Sequence, residues 1–232
     1  MSFKSSDMVL SLEDIAFRYP GTAQDILTMA SLQLQAADRM LICGDSGCGK
    51  STLLSLSAGV ILPHRGRVCL LGKNWQTMTA AARDAWRVDH VGYIFQQFNL
   101  LPYLTVIENV LMPCRFSRLR AQRARQFHGS EVHAAQILLA ALGLNKPLWP
   151  ARAITLSVGQ QQRVAAARAL IGCPELVIAD EPTSALDEAS RDSFMQLLIQ
   201  QCENSRSALL FVTHDSRLSL YFNAVLNLSL VN

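Results

Sequence analysis

The chain has 232 residues, half of them hydrophobic, and a formal net charge of +3. This length allows one large domain, or one domain with a subdomain, and the weak positive charge argues against a nucleic-acid-binding protein. No stretch of ~18 uncharged apolar residues predicts a membrane-spanning helix, and six cysteines without a C-x-x-C pair indicate neither a zinc site nor a disulfide framework.

The N-terminal segment MSFKSSDMVLSLEDIAF is not typical of a signal peptide. It carries Asp7, Glu13 and Asp14 where the apolar region of such a peptide would lie, so we expect a soluble protein of the cytosol. From about residue 8 to 40, polar and apolar residues alternate, as in VLSLEDIAF and LQLQ. This alternation predicts antiparallel strands that form a small β-layer.

The apolar run Met40–Cys43 leads into the loop GDSGCGKST, residues 44–52. Its glycines can adopt positive φ and bring backbone N–H groups close to an anion. Lys50 can reach β- and γ-phosphate oxygens, and the Ser51 hydroxyl suits Mg²⁺. The alternative is a glycine-rich turn before an ordinary helix, but the full G-x-x-x-x-G-K-[ST] spacing favours a P-loop. We therefore expect nucleotide contacts from Gly44, Asp45, Ser46, Gly47, Cys48, Gly49, Lys50, Ser51 and Thr52.

Between the first apolar run and the later ones lies a long stretch whose pieces look helical. AAQILLAALGL, which ends with Gly143-Leu144, has apolar residues at three- and four-residue spacing. We interpret this stretch as a helical subdomain inserted into the sheet.

LSVGQQQRVAAARAL, residues 156–170, contains Ser157 and Gly159 and continues as a helix without breakers. The N-terminus of that helix would be a second anion site, because its first N–H groups have no partner inside the helix and its dipole is positive there. A capped amphipathic core helix is an equally good interpretation of the composition. One ATP does not need two such sites.

Two more apolar runs are followed by residues that could take part in catalysis. Leu176–Ala179 precedes Asp180-Glu181, and Leu209–Val212 precedes Thr213-His214. Short continuous apolar runs predict buried strands of a parallel sheet, which carries ligands at its carboxyl edge. The fold class is therefore α/β with a mostly parallel central sheet, and we expect the three strand ends to converge.

The acidic pair and the histidine each have a structural alternative. Asp180 is suited to hold Mg²⁺, mostly through water, and Glu181 to polarise the water that attacks the γ-phosphate. A buried ion pair is the alternative, although burying two acids is costly. His214 alone would more often be a core histidine, but its position at a third strand end favours the site.

Together these motifs make the sequence resemble the ATP-binding cassette of an ABC transporter over essentially the whole chain. The resemblance implies a P-loop NTPase fold in which a RecA-like core, about residues 1–95 and 171–232, carries a helical subdomain of about residues 96–170. It also implies a head-to-tail homodimer or heterodimer of cassettes. In that dimer the signature LSVGQ of one chain covers the ATP held by the P-loop of the other.

The resemblance also assigns roles to single residues. It gives catalytic roles to Lys50, Glu181 and the switch histidine His214, and Mg²⁺ contacts to Ser51, Gln96 and Asp180. Outside the P-loop, it assigns nucleotide contacts to Tyr19, Gln96, Ser157, Gly159, Gln160 and Asp187 of the D-loop SALD. Tyr19 would stack on adenine, whereas packing against a strand is the alternative for a lone tyrosine.

Two positions depart from the family pattern. Val158 replaces the first glycine of the signature, and we expect activity to survive because Ser157 and Gly159 remain. Asp38 stands where a glycine-glutamate pair is usual, which concerns a turn rather than chemistry.

FQQFNLLPYLTVIENV most resembles the branch of cassettes that drives lipoprotein release and macrolide efflux. That branch implies a separate integral-membrane permease and a peripheral position on the inner face of the cell membrane, reached only through the permease. The alternatives are a soluble ABC ATPase that does not act in transport and a regulatory ATP-binding module. The chain has neither the long coiled coil of repair types nor a second cassette, and it retains Glu181 and His214.

Two segments each allow two interpretations from the sequence. The stretch from Gln96 to Leu104 is more apolar than a solvated loop, which favours a docking surface for the permease, although its side chains could instead pack within the helical subdomain. The arginine-rich run CRFSRLRAQRARQFH is consistent with a solvated helix face or with a contact to anionic lipid or a partner.

Overall fold

The computed structural model describes residues 7–228. Within that range the backbone falls into two compact units: one extends to Arg87 and resumes at Ala208, and the other is Val88–Ser207. The helices expected for residues 96–170 lie within the second unit, and the subdomain boundaries at 96 and 170 stay predictions.

The strands and α-helices follow one another along the chain with connections of differing length. The strands are β1 (Met8–Phe17), β2 (Leu27–Gln35), β3 (Arg39–Gly44), β4 (Arg65–Leu70), β5 (Lys73–Asn74), β6 (Val91–Ile94), β7 (Leu176–Asp180), β8 (Ala208–Val212) and β9 (Ala224–Leu228). The α-helices are α1 (Lys50–Ser57), α2 (Ala80–His90), α3 (Val106–Phe116), α4 (Arg118–His128), α5 (Glu131–Ala141), α6 (Val158–Leu170) and α7 (Glu188–Ser205). No helix within residues 7–228 is long and apolar enough to cross a membrane.

The first unit contains an antiparallel sheet in the order β2-β1-β4-β5. Strand β1 is central to it, and Leu12 pairs with Leu32 of β2 on one side and with Val68 of β4 on the other. All three side chains are buried, and each buried aliphatic side chain contributes roughly 1.5–3 kcal/mol to stability. The antiparallel strands expected from the N-terminal alternation are confirmed.

The first unit also contains parallel strands, with β3 between β8 and β9. Leu41 of β3 lies opposite Phe211 of β8 and Val225 of β9. The apolar runs at residues 40–43 and 209–212 are thus strands, as predicted. Because the strands are parallel, the loop after β3 and the loop after β8 leave the sheet at the same edge.

The second unit has its own parallel pair, in which Ile94 of β6 lies opposite Ala179 of β7. Helix α6 packs closely on β6, because a Cβ added at Gly92 would collide with the carbonyl oxygen of Ala169. The predicted third strand, the helix within AAQILLAALGL (now α5) and the uninterrupted helix after the signature (now α6) are all confirmed.

A partly buried ionic cluster links the residue before β7 to helices α2 and α4. The carboxylate of Glu175 lies 2.8 Å from Nδ1 of His90 and 2.6 Å from a guanidinium nitrogen of Arg123. Burial of Glu175 alone would raise its pKa, but the hydrogen bonds and charges of His90 and Arg123 outweigh this effect and lower its pKa to about 2.

Candidate functional site

The loop between β3 and α1 has the backbone geometry of a phosphate-binding loop. Gly44 has φ of +157° and Gly49, at the N-cap of α1, has φ of +96°. A Cβ at Gly44 would lie 2.5 Å from the Leu228 carbonyl oxygen and 2.6 Å from Sγ of Cys48. Glycine at position 44 is therefore required by close packing as well as by its conformation.

Lys50 is the first residue of α1 and is only 9 % exposed. Its Nζ donates hydrogen bonds to the carbonyl oxygens of Gly44, at 2.8 Å, and Asp45, at 2.7 Å. The ammonium group has a third proton to direct at an anion. The dipole of α1 adds positive potential at the same place, so this end of the helix favours a phosphate group.

Tyr19 lies beside the start of α1. Its hydroxyl group is 3.2 Å from Oγ1 of Thr52, and its ring contacts that of Phe17 edge-to-face with a centroid distance of 5.0 Å. The residue is 43 % exposed. Tyr19 therefore packs against β1, as one interpretation expects, and it also keeps part of its surface exposed near the loop, as stacking on adenine would require.

His214 follows β8 on the same edge as the loop. The backbone N–H of Thr213 donates a 3.2 Å hydrogen bond to the carbonyl oxygen of Ile42 in β3, which ties the end of β8 to the strand that enters the loop. His214 itself is exposed. The first unit thus brings the loop after β3, Tyr19 and His214 to one region.

The acidic pair lies in the second unit. Asp180 is the last residue of β7, and its negative charge adds to burial in raising the pKa of Tyr93. Glu181 has φ of +43°, in the left-handed region that costs a residue with a Cβ roughly 1–2 kcal/mol. Strain of this kind is concentrated at functional sites.

Gln96 lies in the turn directly after β6 and is exposed. Because β6 and β7 are parallel, this turn and the acidic pair leave the strands in the same direction. The second unit therefore brings Gln96, Asp180 and Glu181 to one edge of its strand pair.

The signature segment forms the N-terminus of α6. Ser157 is the N-cap: its side chain accepts from the N–H of Gln160 at 3.4 Å, and the Gln160 side chain accepts from the N–H of Ser157 at 2.9 Å. This capping box leaves the N–H groups of Val158 and Gly159, the first two of the helix, without an acceptor inside it. Gln160 thus uses its side-chain oxygen to close the cap.

Asp187 is the N-cap of α7, where its carboxylate accepts hydrogen bonds from the backbone N–H of Ser190 at 2.9 Å and from its hydroxyl group at 3.0 Å. These hydrogen bonds lower the pKa of Asp187, led by the one from the backbone N–H of Ser190. The side chain therefore has a structural role in addition to the nucleotide contact that the resemblance implies.

Comparisons with known proteins show the family to which the chain belongs. Residues 27–184 match the family described as ABC transporter. The lipoprotein-releasing system ATP-binding protein LolD of Pseudomonas fluorescens is 36 % identical over 226 residues, covering 97 % of this chain and 96 % of the relative. The chain belongs to the ABC transporter family. The uncharacterized ABC transporter ATP-binding protein YbbA of Escherichia coli K12 is 39 % identical over 196 residues, covering 84 % of this chain and 82 % of YbbA.

Solved structures give the same assignment. A dimeric, post-hydrolysis state of the ATP-binding cassette MJ0796, bound to ADP and Pi, superposes with a TM-score of 0.81 at 30 % identity, covering 95 % of this chain and 94 % of that one. The cbiO1 subunit of Clostridium perfringens, part of the ABC transporter complex cbiONQ, superposes with a TM-score of 0.82 at 25 % identity, covering 96 % of this chain and 85 % of that one. The expected α/β P-loop NTPase fold is confirmed, and the chain is an ABC ATPase that binds and hydrolyses ATP.

A polar residue that holds the backbone of the segment after Gln96 was not predicted from the sequence. Asn109 of α3 is fully buried, and its amide accepts from the N–H of Leu101 at 2.8 Å and donates to the carbonyl oxygens of Leu101 and Thr105 at 3.1 and 3.0 Å. A single asparagine on the apolar face of VIENVLM was the signal, because a buried amide requires partners.

Proposed function

We propose that this ABC ATPase powers a separate integral-membrane permease of the lipoprotein-release or efflux type. The observation that carries this proposal is the similarity to LolD, which extends over nearly the full length of both chains. The cassette would then be cytoplasmic and peripheral, and it would reach the inner face of the membrane only through the permease.

In the catalytic cycle, the loop N–H groups and Lys50 hold the β- and γ-phosphates. Glu181 polarises the attacking water, and His214 contacts the γ-phosphate from the end of β8. Tyr19 stacks on the adenine base. These roles are supported by the geometry within each unit and by the order of the family motifs.

The residues also fit a magnesium ion. Mg²⁺ prefers hard oxygen ligands and keeps several waters, and Ser51, Gln96 and Asp180 each offer a side-chain oxygen at the start of α1 or just beyond a strand end. When bound with ATP, the ion would neutralise charge that develops on the phosphates. Asp180 and Gln96 would hold it mostly through water.

We further propose that the signature of one cassette closes over ATP held by another, as a homodimer or heterodimer. The uncommitted N–H groups of Val158 and Gly159 and the hydroxyl group of Ser157 suit the γ-phosphate. Val158 is the first helical residue and is 48 % exposed, and its backbone N–H is a donor whatever its side chain. The dimeric MJ0796 structures support a dimer of cassettes.

The docking surface for the permease would include Tyr103 and Ile154. They are 67 % and 69 % exposed, whereas Phe98 is only 7 % exposed and packs inside the unit. The N–H of Ile154 donates to the carbonyl oxygen of Pro102 at 3.2 Å, so the two exposed side chains belong to adjacent backbone segments. An apolar pair of this kind suits an apolar helix end of a membrane protein.

The test is co-purification with a permease of the lipoprotein-release or efflux type that is expressed together with this chain. Tyr103→Glu should abolish co-purification and transport in cells while the isolated cassette keeps its ATPase activity. Phe127→Glu is the matched control, because Phe127 is also an aromatic residue that is 63 % exposed but lies on α4. If Tyr103→Glu still forms the complex, the docking surface lies elsewhere. If the isolated variant loses its ATPase activity, Tyr103 has a structural role.

A further inference from the structure

The signature helix α6 contacts the segment Gln96–Leu104, which we call the docking segment, through the side chain of Arg168. Its guanidinium group donates to the carbonyl oxygen of Asn99 at 2.6 Å and to that of Phe98 at 2.5 Å. Asn99 and Phe98 have φ of +48° and +58°, so this pair of hydrogen bonds, the Arg168 clamp, binds two consecutive residues in the left-handed conformation. Hydrogen bonds from a charged donor are roughly twice as strong as neutral ones, which makes this clamp the main polar link of Phe98-Asn99 to α6.

A second arginine holds the last turn of α6, in which Arg168 itself lies. Arg120 of α4 is fully buried, and its guanidinium donates to the carbonyl oxygens of Ala169 at 2.5 Å and Ile171 at 2.7 Å. Burial lowers its pKa to about 10, so it remains a cation at neutral pH. A cation at a helix C-terminus is favoured by the helix dipole. Helix α6 therefore carries the signature at its N-terminus, and its last turn is held by Arg120 of α4 and contacts the docking segment through Arg168.

This arrangement rests on the proposed function, in which the signature engages ATP across a dimer. A displacement of α6 when the signature closes on the γ-phosphate must move whatever the helix holds rigidly. We infer that Arg168 is a positioning residue that transmits closure of the signature on ATP to the docking segment, through its hydrogen bonds to the carbonyl groups of Phe98 and Asn99.

Arg163 provides a matched control on the same helix. It is part-buried like Arg168, and its guanidinium donates to the carbonyl oxygen of Leu142 at 2.6 Å and to Oγ of Ser193 at 3.5 Å. It therefore anchors α6 to α5 and α7 with the same chemistry. Replacing either arginine removes charge-assisted hydrogen bonds, but only Arg168 contacts the docking segment.

The experiment measures amide hydrogen exchange of residues 98–104 with and without Mg-ATP in a Glu181→Gln chain, in which hydrolysis is blocked. Mg-ATP should change the exchange rate of this segment when the dimer forms. In the Arg168→Met double variant this change should be lost, and the exchange of the segment without ATP should rise by at least about tenfold, the factor expected from losing hydrogen bonds to a charged group. In the Arg163→Met double variant the change with Mg-ATP should persist.

Gel filtration of the same samples separates the possible outcomes. Arg168→Met should still dimerise with Mg-ATP, and Arg168→Lys, which can reach one carbonyl at a time, should restore part of the exchange response. A response in Arg168→Met equal to that of the parent would overturn the inference and leave the dimer intact. If Arg168→Met does not fold, an undiminished response in Arg168→Lys overturns it. Failure of the Glu181→Gln parent to dimerise would instead overturn the proposed dimer, and this inference with it.

Discussion

Replacing Asn109 by alanine should loosen the docking segment with little effect on the ATP-binding loop. The change removes the acceptor of the Leu101 N–H, a buried donor, together with second hydrogen bonds to carbonyl groups of Leu101 and Thr105. These carbonyl groups keep their backbone partners, Leu104 N–H and Asn109 N–H. The cost is therefore that of one orphaned donor plus weaker terms, about 2–3 kcal/mol. For a chain of this size we expect the Tm to fall by about 5–10 °C.

Thermal unfolding followed by circular dichroism would measure this loss. Gln126→Ala, at an exposed position on α4, is the control and should leave stability within about 0.5 kcal/mol of wild type. Asn109→Asp keeps the acceptor for Leu101 but places a carboxylate against carbonyl oxygens, so it should be at least as damaging as alanine. A Tm of Asn109→Ala equal to wild type, or a fully stable Asn109→Asp, would contradict the assigned amide orientation.

Four further outcomes follow from the site. Lys50→Ala should abolish ATP hydrolysis and weaken ATP binding, because its charge meets phosphate charge in both ground and transition states; wild-type turnover would refute the P-loop assignment. Glu181→Gln should keep ATP binding and elute as a dimer with Mg-ATP, since only the carboxylate that polarises the attacking water is lost; undiminished hydrolysis without a dimer would exclude Glu181 as the base. Val158→Gly should change turnover only modestly whereas Ser157→Arg should nearly abolish it, as measured by phosphate release; equal damage would contradict the proposed contact with ATP. The pKa of Glu175 is about 2 in the fold, against an ordinary 4.5. Its carboxylate therefore stabilises the fold at pH values above the unfolded pKa, and this stabilisation is lost as the pH falls toward 2. Glu175→Gln should lower the urea midpoint at pH 7, and the difference in midpoint from wild type should narrow below about pH 4.5; a difference that is the same at both pH values would contradict this.

The strands, the loop after β3 and the signature helix were predictable because their signals are local. A short apolar run that ends in GDSGCGKST or in Asp180-Glu181 fixes both a buried strand and the residues that leave its end. The capping box of Ser157 and Gln160 is likewise visible in the sequence as a serine followed three positions later by glutamine. Family resemblance added the order of the motifs, which no single motif supplies.

The arginine-rich run shows where local signals end. Its spacing is consistent with a solvated helix face, yet Arg120 is buried among carbonyl oxygens and Arg123 pairs with Glu175. Arg125, which is exposed, pairs with Glu131. Whether an arginine faces solvent, a carboxylate or a helix end depends on partners distant in sequence. Composition does not identify those partners. For the same reason, the sequence could not show that Phe98 is a core residue and Tyr103 a surface residue.

Left-handed backbone conformations occur just after both strands of the parallel pair in the second unit. Phe98 and Asn99 follow β6, and Glu181 follows β7, its parallel neighbour. Asparagine tolerates the left-handed conformation, but Phe98 and Glu181 each cost roughly 1–2 kcal/mol in it. The Phe98 conformation persists because its ring is buried and Arg168 binds its carbonyl oxygen. A conformation held by contacts against its own preference depends on those contacts, so we expect loss of the Arg168 hydrogen bonds to raise the mobility of Phe98 and Asn99.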